Sequence, residues 1–308
     1  MEERKAIDGY ATGVMVCLCA IWALQQIAIK VVVTEVAPVM QIAIRSSVAS
    51  VLVALWMVIR KERAEWAETW RAGVAVAVLF ASEFYVVGEA LKLTSAAHTV
   101  VFLYTAPIFA ALGLHLKLPN ERLNLVQWGG IALAFIGIVI AFYEPNAPAE
   151  QHRAILGDFL ALLGGAGWGA TTVTIRATKL SDASASLTLL YQLLGAAVLL
   201  AIFAVFTGET HLHVSVLSIG SLLFQGVIVS FASFLVWFGL MRKYLASRLG
   251  VLSFLTPMFG VVFGYWLLGE TLETNFLIGA AFVLIGIVLV SGSTWLMQTA
   301  QNLKTRQG

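Results

Sequence analysis

Apolar residues run along this chain in stretches that are long, uniform and evenly repeated. Six stretches carry no charged residue at all: 11–29, 123–143, 183–206, 214–241, 249–269 and 274–301. Four more, 38–59, 72–91, 93–116 and 155–175, hold only one or two ionisable groups. Crossing a hydrocarbon core of about 30 Å takes about 20 helical residues, so the pattern predicts ten transmembrane helices joined by short loops. A membrane β-barrel would need segments of about ten residues that alternate apolar and polar, which these are not. Arg4 and Lys5 precede the first apolar run as in a signal peptide, but the run is too long for that role, and it is expected to be helix one.

Composition agrees. Hydrophobic residues make up 60% of the 308 residues and charged residues only 12%, against about 25% in a soluble domain. Little chain remains for a water-soluble domain. Cys17 and Cys19 stand two apart inside helix one and would project from different sides of it, which suits packing better than metal binding.

The net charge of +2 is less informative than where the charges fall. With loops numbered alternately, one side receives Arg4, Lys5, Arg60, Lys61, Arg63, Arg71, Lys117, Arg122, Arg176, Lys179, Arg242, Lys243, Arg248, Lys304 and Arg306, which is 15 of the 19 Lys and Arg. Lys30, Lys92 and Arg153 fall opposite, and Arg45 lies inside helix two. The positive-inside rule then places both termini in the cytoplasm.

Residues 1–147 resemble residues 148–308. The segment ERLNLVQWGGIALAFIGIV from Glu121 aligns without a gap on ETLETNFLIGAAFVLIGIV from Glu270, matching Gly130 with Gly279 and Gly137 with Gly286. YTAP, ending at Pro107, matches FLTP, ending at Pro257. Trp22 precedes Lys30 by eight residues, as Trp168 precedes Arg176. An odd number of spans per half forces the second half to enter the membrane from the other side, so the expected fold is two five-helix repeats of inverted topology around a central cavity.

On these residues the sequence resembles the ten-helix branch of the drug/metabolite transporter superfamily, and within it most resembles the bacterial aromatic amino-acid exporters. The resemblance spans nearly the whole chain. It implies a multi-pass carrier of the bacterial inner membrane, with a cavity lined by the first, third, fourth, sixth, eighth and ninth helices. It does not fix the substrate, which one scaffold varies widely.

Candidate site residues follow from helical spacing. Trp22, Gln25, Gln26 and Ile29 share one stripe of helix one, and Trp168, Thr171, Thr172 and Ile175 form the matching stripe of helix six. A Trp near a helix centre is no headgroup anchor, and its N–H wants a partner. The alternative is that both tryptophans fill gaps between helices. Trp168 stands in GGAGWGATT, a small-residue run that invites a close neighbour. Tyr104, Trp237 and Phe254 are candidates to complete an aromatic lining. Pro107 and Pro257, inside helices four and nine, are candidate hinges because each removes a backbone bond.

Glu83 falls near mid-membrane, where charge is costly. It would grip an ammonium group, hold an exchangeable proton, or pair with Arg45. The expected salt bridge for Arg45, however, is Glu89. His98, His115, Lys30, Asp158 and Arg176 are expected at helix ends facing the interface, and His211 with His213 is too weak a signal for a metal.

The expected activity is export of a small metabolite by alternating access, aromatic or other amino acids first. A same-fold carrier of drug-like cations, nucleosides or sugar conjugates is the alternative, with a passive channel or a membrane-embedded enzyme behind it. No HExxH, nucleophile elbow or Walker loop occurs. Expected partners are the solute and the lipid bilayer, with protons open as a coupling ion and no nucleic acid, cofactor or metal. A monomer suffices for such a cavity; a dimer stays open.

Overall fold

A computed structural model of the chain describes residues 8–118, 122–142, 149–244, 249 and 252–307. In lipid every backbone N–H and C=O must be satisfied within the chain, so apolar runs of this length become helices. They are α1 (Gly9–Val31), α2 (Pro38–Ile59), α3 (Trp66–Leu93), α4 (Ala96–Leu103), α5 (Ala106–Lys117) and α6 (Leu125–Phe142). The second half gives α7 (Ala149–Arg176), α8 (Ala185–Thr207), α9 (Val216–Leu223), α10 (Phe234–Lys243), α11 (Leu255–Leu268) and α12 (Thr274–Gln307). Among the described residues eight helices are long and apolar enough to cross a membrane, and two shorter apolar helices, Leu125–Ala141 and Leu255–Leu268, accompany them. Polar residues at the loops set where helices begin: the side chains of Asp8, Ser95, Ser184 and Ser215 each accept a bond from the first turn of α1, α4, α8 and α9.

The spans are less regular than the hydropathy pattern implies. The fourth breaks at Tyr104 and Thr105, so Pro107 sits in the first turn of α5 rather than deep inside one continuous helix. Its missing N–H is harmless there, because first-turn donors have no intrahelical partner anyway. Pro257 likewise lies in the first turn of α11, after a turn at Ser253 and Phe254. The eighth span, expected to be one α-helix, is π-helical from Phe224 to Ser233 between α9 and α10. Such widened turns rotate the side chains beyond them and occur often at functional sites.

Corresponding helices of the two halves pack on each other, α2 on α8 and α6 on α12. In the second pair Gly130 faces Gly286 and Gly137 faces Gly279. A Cβ added to Gly130 would lie 2.7 Å from the Gly286 carbonyl oxygen, and one added to Gly137 would lie 2.6 Å from that of Gly279. The order of these contacts makes α6 and α12 antiparallel, and only glycine allows backbones to approach so closely. Elsewhere the interior is joined by polar groups. Gln41 donates to the carbonyls of Ile29 (3.0 Å) and Val36 (2.9 Å), and Gln225 donates to Gln41 (2.9 Å), tying the π-helical turn to α2.

Gly137→Val is expected to lower stability by about 1–3 kcal/mol through overpacking against a backbone that cannot move aside. A thermal-denaturation series in detergent checks this, with Gly129→Val, which meets nothing within 4 Å, as the neutral control.

Candidate functional site

Near mid-span α1, α3 and α7 part around a cavity of about 280 Å³. That is close to the lower end of the range for small-molecule sites, about 300–1,000 Å³. Helix α1 presents Trp22, Gln25 and Gln26 to it, and α7 presents Trp168, Thr171, Thr172 and Ile175. The two stripes read from the sequence therefore face one space, except that Ile29 is buried in the core. Tyr104 enters from the break after α4, and Trp237 from α10.

The remaining lining was not predicted from sequence: Phe80 and Phe84 of α3, Leu103 of α4, Gln192 of α8, Phe234 of α10, and Ser253. Phe80 and Phe84 lie one turn apart on the face of Glu83, a signal present in the sequence but indistinguishable from ordinary packing. Phe254 is not in the lining. It is buried in the cluster that holds Phe102, Tyr104 and Phe276, because the turn before α11 aims Ser253 at the cavity instead.

The tryptophans are fixed by specific neighbours. Trp22 donates its indole N–H to the Ser233 hydroxyl at 2.9 Å and meets Trp237 edge to face at 5.6 Å. Ser233 closes the π-helical segment, so the widened turns serve to hold Trp22. Trp168 meets Tyr104 edge to face at 5.2 Å. Its flanking glycines admit neighbours: a Cβ on Gly165 would lie 2.7 Å from the Thr105 hydroxyl, and one on Gly169 would lie 2.6 Å from Phe109 Cβ. Helix α7 thus lies hard against the broken fourth span, and Trp168 projects past it.

Glu83 carries the only charge on the cavity lining among the described residues. It is 4% exposed, and its Oε2 has no hydrogen-bond partner. The nearest cation is Arg45 of α2, 2% exposed, whose guanidinium lies 4.4 Å from the centre of the Phe84 ring. The expected Arg45–Glu89 bridge does not form. Glu89 bonds Lys92 at 2.6 Å, and Lys92 also reaches Glu209. Glu89 lies six residues beyond Glu83, on a different and part-exposed face of α3, where Lys92 pairs with it.

At the end of α1 away from the amino terminus lies a polar cluster. Lys30, expected at the lipid boundary, faces Glu270 at 3.6 Å and bonds the Thr94 carbonyl. Gly269, with φ of 65°, turns the chain back so that Glu270 accepts from the N–H groups of Ala96 (2.6 Å) and Ala97 (3.1 Å), at the positive end of α4. Asp158, also expected at the interface, is buried, and His98, expected there too, is partly buried. Asp158 accepts from Thr94 at 2.5 Å and pairs with His98 at 2.8 Å, while the other ring nitrogen of His98 lies 3.4 Å from Glu273. His98 stacks on Phe276 with centroids 3.6 Å apart. The first, fourth, sixth and last spans are tied together there. His115 remains near the end of α5, accepting from the Leu123 N–H and meeting Trp128 edge to face.

Two stretches of the chain, 10–143 and 155–292, each match the EamA-like transporter family model. Relatives include the uncharacterized transporter YoaV of Bacillus subtilis, 22% identical over 89% of this chain and 94% of that protein. A probable amino-acid metabolite efflux pump of Salmonella typhimurium is 26% identical over 92% of this chain and 94% of that protein. A WAT1-related chloroplastic protein of Arabidopsis thaliana is 28% identical over 88% of this chain and 66% of that protein. One crystal structure superposes with a TM-score of 0.63 at 19% identity, covering 91% of this chain and 95% of the other, which shows the fold.

Two outcomes test the polar cluster. Asp158→Ala removes the shared partner of buried Thr94 and partly buried His98 and is expected to cost about 1–3 kcal/mol, read as a lowered unfolding temperature in detergent. The hydrogen bond from His98 holds the Glu273 carboxyl below the usual carboxylate range. A lowered carboxyl pKa stabilises the fold fully above its unfolded value, and this contribution is lost as pH falls through the folded value. Glu273→Gln is therefore expected to make the acid side of the stability–pH curve shallower while leaving the neutral side less stable than wild type.

Proposed function

This chain belongs to the EamA-like transporter family, and from that premise we propose that it exports small aromatic metabolites, aromatic amino acids first among them. The observation that carries the reading is the aromatic cavity with a single carboxylate, in which Trp22 and Trp168, matched by the internal repeat, stand with Tyr104, Trp237 and three glutamine carboxamides. Aromatic walls bind flat solutes through offset and edge-to-face contacts. Carboxamides and hydroxyls fix their polar ends. Thr172 and Gln26 are the candidates for that polar role. The name of the Salmonella relative, an amino-acid metabolite efflux pump, points the same way.

In this reading the two shorter apolar helices also span, giving ten crossings in two units, 1–147 and 148–308, of inverted topology. The antiparallel contact of α6 with α12 is what such symmetry requires. Alternating access then follows from rocking of one unit against the other around a fixed site. The breaks before Pro107 and Pro257 are natural hinges, because each already lacks regular helical bonding. The polar cluster around Asp158 and Glu270 closes the cavity on the face opposite the termini. The distribution of Lys and Arg puts the termini in the cytoplasm of a bacterium and the cluster on the outer face of its inner membrane. Glu83 also favours a second reading, in which the solute is an organic cation.

Purified protein in liposomes is expected to exchange external labelled tryptophan for internal unlabelled tryptophan with saturation. Trp22→Ala and Trp168→Ala should each reduce that exchange to about a tenth or less, since burial of an indole against a flat solute is worth on the order of 1–2 kcal/mol per contact. Absence of saturable exchange for every aromatic solute would refute the reading, and wild-type exchange by both variants would remove the site.

A further inference from the structure

Charge balance at the cavity separates the two readings. Glu83 faces the solute space, and Arg45 does not line it. Arg45 reaches Glu83 from behind, from α2, next to the Phe84 ring that forms part of the same wall. Among the described residues no salt bridge joins the two, and Glu83 Oε2 and Arg45 Nε and Nη1 are buried without hydrogen-bond partners. The carboxyl therefore keeps an oxygen without a partner, with the Arg45 guanidinium as the cation that acts on it. No other charged side chain lines the space among the described residues.

We propose that Arg45 is a positioning residue that makes the site electrically neutral and so selects a zwitterion, an aromatic solute carrying both an ammonium and a carboxylate, over a net cation or anion. The inference rests on the proposed solute site and names its substrate class. With both groups ionised, Glu83 and Arg45 sum to zero. A zwitterion leaves the buried site neutral, with its ammonium on Glu83 and its carboxylate on the carboxamides of Gln25, Gln26 and Gln192, which line the cavity. A monovalent amine leaves the site with one uncompensated positive charge, and a monovalent acid with one negative charge. In a low-dielectric interior an uncompensated charge costs several kcal/mol, which outweighs the loss of any single hydrogen bond. Helix α7, which packs on Glu83 at Gly167, and helix α8 bring Trp168, Thr172 and Gln192 to the cavity, none of them charged.

The test is competition against labelled tryptophan exchange in proteoliposomes, with tryptophan, tryptamine and indole-3-propionate as probes that share one ring. Wild type should prefer tryptophan. Arg45→Met leaves the site at −1 and should shift the tryptamine-to-tryptophan preference at least about tenfold toward the amine, a change of about 1.4 kcal/mol. Arg45→Lys keeps the charge and should keep the wild-type order. Glu83→Gln leaves the site at +1 and should shift preference toward indole-3-propionate, and it decides the matter if Arg45→Met does not fold. The double variant should return to tryptophan, with weaker binding. A wild-type order of preference in both single variants overturns the proposal and leaves the aromatic site standing. Failure of wild type to exchange any of the three overturns the site and the proposal together.

Discussion

A hydrocarbon interior tolerates a polar group only when something inside the protein answers it. In this chain that constraint sorts the buried polar residues into two kinds. Those at the end away from the termini are answered: Asp158 by Thr94 and His98, and Glu270 by Lys30 and the amino end of α4. At and behind the cavity wall some are not. Glu83 and Gln26 on the lining and Arg45 behind it each keep at least one buried polar atom without a partner. Satisfied groups build structure, and unsatisfied groups beside an aromatic hollow are where a solute can supply what is missing.

The internal repeat gives that hollow its place. Two copies of one unit produce two tryptophans, two proline-bordered breaks and two glycine-spaced last helices, and the copies meet through corresponding helices. Where α6 and α12 cross, glycine faces glycine at carbonyl contact distance, leaving no room for a side chain between the halves there. At the cavity the opposite holds. Helix breaks and a π-helical segment replace regular turns, and the side chains that face inward are held by aromatic and hydroxyl contacts rather than by close backbone packing. In the proposed carrier the first region is the fixed seam and the second the part that moves.

Much of this was legible in the sequence, for physical reasons. Hydropathy located the spans, and for α2 the run 38–59 is the helix to the residue, because Pro38 and Arg60 are unambiguous boundaries. Trp22 and Trp168 were legible because a repeat marks equivalent positions. What sequence could not supply is rotation about the helix axis and pairing between helices. Phe80, Phe84 and Gln192 look like packing until α3 and α8 are turned toward the cavity, and Phe254 looks like lining until the turn before α11 exchanges it for Ser253. Arg45 could be matched with Glu89 or Glu83 by depth alone, and it bridges neither, Lys92 having taken Glu89. His98 and Asp158 stood at helix ends and read as interfacial, whereas helix ends that meet one another are interior.

The central claim is that the cavity between α1, α3 and α7 receives an aromatic solute. A structure determined by electron cryo-microscopy in lipid nanodiscs at saturating tryptophan tests it most directly. The account predicts density for an indole between Trp22 and Trp168 with the solute ammonium within hydrogen-bond distance of Glu83. An empty cavity under those conditions, or density against another part of the protein, would contradict it.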